Sequence, residues 1–197
     1  MQELIEKSKA TIRWIDSKKD GLPIDSDGRT KLSAACFDLV LEHQKSVVLL
    51  IEKHLNGSAF ALIRLIFDAY IRGLWLYHSA SETEIEKYKN EKLKKPFGDL
   101  IKDVEKIDGY SSGILSQAKK AGWDAMNSYT HSGFLHLTRR VSEDSIEPIY
   151  TDEEKVEAIK FANSCSLMAV IGIASLAKNQ ELANDVLEHI KQNYPRP

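Results

Sequence analysis

The feature that most constrains this chain is a run near its middle, Ser58 to Tyr77 (SAFALIRLIFDAYIRGLWLY), which is apolar nearly all the way round a helical wheel. A stretch with that pattern has no solvent face. It is stable only as a helix surrounded by other helices. Its neighbours supply them. Residues ~29–55 place Leu32, Cys36, Leu39, Val40, Val47, Leu50, Ile51 and Leu55 at helical spacing. Thr151-x-x-Glu154 is a capping box that opens a second long helix, to about Lys178, through Val156, Ile159, Ala162, Leu167, Val170 and Ile171. Strand-like alternation is absent. The sequence therefore predicts an all-α fold, a single elongated bundle of six to eight helices forming one domain over residues 1–197.

Local signals place the remaining elements. Residues ~2–18 carry Leu4, Ile5, Ser8, Ile12 and Ile15 on one face. Asp25, Ser26 and Asp27 offer caps for the helix that follows. Asn56-Gly57 reads as a helix stop, with the central helix starting at Ser58. Ser81-x-x-Glu84 caps a short helix to about Leu93. Others are expected at ~98–107, from Ser111 or Ser112 to His131, and at ~180–193. Residues 134–150 read as an extended surface loop, and the terminal YPRP as a frayed tail.

Composition narrows the function classes. With 27 basic and 29 acidic residues, the chain has no overall pull toward nucleic acid or anionic lipid. The charged N-terminus lacks the apolar core of a signal peptide. The longest charge-free run, Phe161–Ala177, contains Asn163, Ser164, Ser166 and Ser175 and reads as a buried helix, not a membrane span. Cys36 and Cys165 are too few and too far apart for a disulfide framework, and read as reduced core residues of a cytoplasmic protein. No cofactor fingerprint is present. A di-iron bundle needs Glu three residues before His. Those positions hold Val40, Ile51, Trp75, Ser128, Gly133 and Val186, so neither metal nor cofactor is expected.

Three constellations remain as candidate sites. Arg64, Asp68 and Arg72 recur at i, i+4 and i+8 on one face of the apolar helix. They read either as a structural ion-pair ladder or as an electrostatic site. Asp124, Asn127 and His131 share a face near a helix end, where an imidazole is suited to acid–base work. Arg139-Arg140, with His136, are candidate phosphate ligands.

The segment WDAMNSYTHSGFLHLTRR through SIEPIYTDEEKVEAIKFAN, with GSAFALIRLIFDAYIRGLWLY before it, resembles a bacterial family of all-helical proteins of unknown function often found near mobile elements. More widely, the chain resembles HEPN-type helical bundles, including abortive-infection proteins of the AbiV group. Many HEPN proteins are metal-independent ribonucleases of toxin–antitoxin or phage-defence systems. Their motif is an Arg, a polar residue, three further positions and a His, usually completed across a homodimer. The matching segment here is Met126-Asn127-Ser128-Tyr129-Thr130-His131. The polar residue and the His are present, and Met126 stands where the motif has Arg.

The resemblance leaves two readings open. In the first, the chain is a degenerate HEPN-like bundle that acts by protein association, as a homodimer or with another protein partner, in a defence, immunity or toxin–antitoxin setting. In the second it is a ribonuclease in which His131 is base or acid, Arg64 or Arg72 stabilises the phosphorane, and Asn127 positions a phosphate. The second predicts that His131 and one of these arginines meet.

Overall fold

The structure is a computed structural model that describes residues 1–194. Nine helices are formed among the described residues: α1 (Gln2–Lys19), α2 (Gly28–Glu52), α3 (Asn56–His78), α4 (Glu82–Lys89), α5 (Phe97–Val104), α6 (Ile114–Thr130), α7 (Phe134–Thr138), α8 (Asp152–Leu176) and α9 (Gln180–Asn193). The fold is all-α. The all-round apolar helix α3 packs against α2, α5, α6 and α8, as its composition requires. Helix α8 also carries α1 and α9 on its flanks. One continuous apolar cluster runs from Ile5 in α1 to Val186 in α9.

Helix starts follow local chemistry. The Asp27 carboxylate accepts from Thr30 N at 3.0 Å and caps α2. Both capping boxes close: Ser81 and Glu84 on α4, Thr151 and Glu154 on α8.

Four local expectations are corrected. Helix α2 ends three residues early, because His54 takes the left-handed conformation (φ 60°) and Leu55 N donates back to Leu50 O at 2.8 Å. The reversal is thus complete before Asn56-Gly57, which form the first turn of α3 instead of a stop. The start of α6 is set by Gly113 at φ 73°, not by Ser111 or Ser112. Residues 134–150 are not wholly extended. They contain the five-residue α7 and a bridge between Val141 and Ile146. A helix of five residues is too short to show a 3.6-residue period, and it is the element beyond the predicted eight. In the terminal YPRP, Tyr194 is packed, its hydroxyl 2.9 Å from Thr11 Oγ1, while the remaining three residues lie outside the described ones.

Helix α8 is long and apolar enough to cross a membrane, but 61% of that stretch is buried within the bundle, as in a core helix. Cys36 and Cys165 are free and buried. Burial pushes their thiols up, to about 11 and about 12.

Candidate functional site

The polar stripe of α3 does not form one ladder. Asp68 accepts from Arg72 Nε at 2.5 Å and Nη2 at 3.3 Å, and the Arg72 guanidinium lies 5.8 Å from the Tyr88 ring. Arg64 makes no ion pair with Asp68. Its Nη1 instead lies 3.0 Å from Nε2 of His131. The predicted Arg64–Asp68–Arg72 network is therefore corrected to one ion pair and one separate arginine. Helical rise puts Arg72 about 12 Å along the axis from Arg64. Of the two arginines, only Arg64 reaches the imidazole.

The Asp68 and Arg72 side chains keep 24% and 28% of their surface exposed, so solvent weakens both the attraction and the desolvation cost. Asp68→Ala is expected to lower the unfolding free energy by about 1 kcal/mol in a urea titration. A loss several times larger would show a sealed pair.

The sequence builds the Arg64–His131 contact from the end of α6. His131 is the C-cap residue, and its N–H donates to Asn127 O at 3.0 Å. Ser132 turns left-handed (φ 52°) and Gly133 N donates to Ser128 O at 2.7 Å, which ends the helix. One residue earlier, the Thr130 hydroxyl shares its single proton between Met126 O of its own helix at 2.9 Å and Ala61 O of α3 at 3.1 Å, which ties α6 to α3. Guanidinium has only donors, so Arg64 donates and His131 Nε2 accepts, which leaves the imidazole proton on Nδ1.

Arg64 is held from below by aromatic rings. Its guanidinium lies 5.0 Å from the Trp123 ring, which stacks on Phe97 at 4.3 Å and 8°. The Arg64 Nε is buried and has no partner. Lys119 Nζ approaches the same Trp123 ring at 5.7 Å and adds a second cation. Asn127 lies between Trp123 and His131 on this face of α6 and is half-buried, while Asp124 is exposed. His131 itself is exposed.

The other side of α6 faces a groove of about 490 Å³ between α6 and α8, floored by Phe60 and Ile63 of α3. Met126 lines this groove with Gly122 and Ala125. Met126 thus lies off the Arg64 face.

Arg139 and Arg140 divide. The Arg139 guanidinium pairs with Glu154 at the end of the groove, which commits part of it to the protein. Arg140 is exposed, with no ion pair among the described residues. Close to Arg139 lies a cluster that the sequence did not reveal. The Tyr150 hydroxyl, His136 Nδ1, Arg139 Nε and Asn56 Oδ1 are all buried without partners. Asn56-Gly57 looked like a helix stop, and nothing in the pattern near Tyr150 marks it. The role of Trp123 was more accessible, since Trp123, Asn127 and His131 recur at i, i+4 and i+8.

Among the described residues, no group of three or more His, Cys, Asp or Glu gathers as a metal site. Fold and site together define an all-helical bundle with an arginine–histidine contact on its surface. The chain belongs to the family of unknown function DUF6988, whose model matches residues 37–196, from within α2 onward. No curated protein and no solved structure matches it.

Proposed function

We propose that this chain is a HEPN-like bundle of a bacterial defence or toxin–antitoxin system, acting in the cytoplasm on an RNA phosphodiester without a metal, through Arg64 and His131. The observation that carries this reading is their 3.0 Å contact at an exposed surface, between side chains 67 residues apart in sequence. A guanidinium is suited to a phosphate oxygen, and an adjacent imidazole to proton transfer.

In this reading Arg64 leaves the imidazole for the incoming phosphate and frees the Nε2 lone pair. Nε2 then takes the proton of the ribose 2′-OH. The 2′-oxygen bonds to phosphorus, the bond from phosphorus to the 5′-oxygen breaks, and that oxygen takes a proton from solvent. Products are a 2′,3′-cyclic phosphate and a 5′-hydroxyl. Arg64 stabilises the crowded phosphorane, and Lys119 adds local positive charge that the net charge of −2 does not supply. Asn127 positions a phosphate oxygen.

A second reading, action by association as a homodimer or with a protein partner, is favoured by a different observation. Six of the twelve exposed large apolar side chains among the described residues lie between 134 and 149, with Phe134 83% and Ile146 84% exposed.

Wild type, His131→Ala and Arg64→Ala separate the readings. RNA cleavage by purified wild type is expected to fall about 10²–10⁴-fold in His131→Ala, with the melting temperature nearly unchanged because the side chain is exposed. Intact RNA with wild type would sink the nuclease reading. Loss of self-association in Phe134→Asp, measured by sedimentation, would then favour the second.

A further inference from the structure

Four of the six buried polar side-chain atoms that lack a partner among the described residues belong to Asn56, His136, Arg139 and Tyr150. Such atoms are rare in folded proteins, and four in one region mark a place where something polar is missing. These residues come from three separate parts of the chain. Two of them, His136 through its Nε2 and Tyr150 through its hydroxyl, reach the first turn of α3 opposite Gly57, and Asn56 belongs to that turn. A Cβ on Gly57 would lie 3.0 Å from His136 Nε2 and 3.3 Å from the Tyr150 hydroxyl. Gly57 thus lets both groups come up against the helix backbone. Asn56 and Tyr150 are only 7% and 8% exposed.

Leu55 is the N-cap of this 23-residue helix, and no side chain caps it. The free amides of a first turn carry partial positive charge and favour an anion. Burial raises the Tyr150 phenol, Tyr129 and Glu154 add to that rise, and Arg140 and Arg139 act against it. The Glu154 carboxylate is taken up by Arg139 and by Thr151 N at 2.9 Å.

We propose that the first turn of α3, with Tyr150, His136 and the Arg139–Arg140 pair, binds a small oxyanion of the phosphate class. The helix amides, the Tyr150 hydroxyl, Arg139 Nε and the imidazole donate to it. Asn56 Oδ1 is the one group of the four that only accepts. It takes the proton that hydrogen phosphate carries and sulfate does not. The site is distinct from the Arg64–His131 contact, which lies about 10 Å further along α3.

The test uses the full-length protein in a buffer free of oxyanions. Inorganic phosphate is titrated by calorimetry and by thermal melting, with sulfate and adenosine 5′-monophosphate in parallel. Wild type is expected to melt higher in millimolar phosphate, and less so in sulfate. Binding of inorganic phosphate assigns the site to the free ion, and a response to the monophosphate alone assigns it to a phosphate ester. Tyr150→Phe removes only a hydroxyl that has no partner, so it should fold as wild type yet bind about tenfold more weakly. Gly57→Ala, which intrudes on His136 and Tyr150, should abolish the response in a folded protein. No response to either phosphate ligand would overturn the proposal and leave ordered water as the missing partner. Undiminished binding by both variants would also overturn it. Neither result bears on RNA cleavage by His131.

Discussion

Phe37→Ala is expected to lower the unfolding free energy by about 3–5 kcal/mol, read from urea denaturation. The Phe37 ring is 1% exposed and projects from α2 between two glycines, Gly73 of α3 and Gly172 of α8. A Cβ on Gly73 would lie 2.6 Å from the ring, and one on Gly172 2.5 Å. Each face of the slot is therefore helix backbone, and this ring spaces the three central helices. Removing it leaves a cavity that side chains cannot close, because the walls have none to move. Filling the slot from the other side is also unfavourable. Gly172→Ala alone should cost about 1–3 kcal/mol by overpacking. The double variant should cost less than the two losses added, since the new methyl partly fills the space the ring left. A Phe37→Ala loss below 1 kcal/mol would show that the helices close up without the ring.

Asn163→Ala is expected to cost about 2–4 kcal/mol, because it strands several buried groups at once. Asn163 in α8 is 1% exposed. Its Oδ1 accepts from Gln44 Nε2 of α2 at 2.8 Å, and its Nδ2 donates to Ser8 Oγ of α1 at 2.8 Å and to the Tyr194 hydroxyl at 3.4 Å. Tyr194 continues the chain to Thr11. This polar junction joins α1, α2, α8 and the C-terminal segment within an otherwise apolar interior. A single amide serves both as acceptor and as donor there. Asn163→Asp keeps the volume but removes the donors, so it should destabilise as well. A small loss for both variants would mean that water replaces the amide.

The two constellations on the α3 face differ in what disturbs them. The Arg64–His131 contact rests on a rigid stack, Trp123 on Phe97, and on the Thr130 bond to Ala61. Its partners are close to solvent, which suits a site that exchanges one contact for a ligand. The unpartnered atoms of Tyr150, His136 and Asn56 are buried, and polar atoms left in that condition cost stability. An arrangement of that kind persists where a ligand or water repays it.

The sequence alone determined that this chain is a helical bundle with α3 at its centre, and where α2, α4 and α8 begin. Those features depend on residues within about four positions of one another, on the apolar period and on the capping groups Asp27, Ser81–Glu84 and Thr151–Glu154. It also named Arg64 and His131, though not which arginine the imidazole would meet. Tertiary structure decided that Arg64 turns to His131 and not to Asp68, that Met126 faces the groove, and that Gly57 admits His136 and Tyr150. Each of these depends on the rotation of one helix against another. That rotation is set by packing between residues distant in sequence, such as Phe37 against two glycines and Thr130 against Ala61, which no local pattern records.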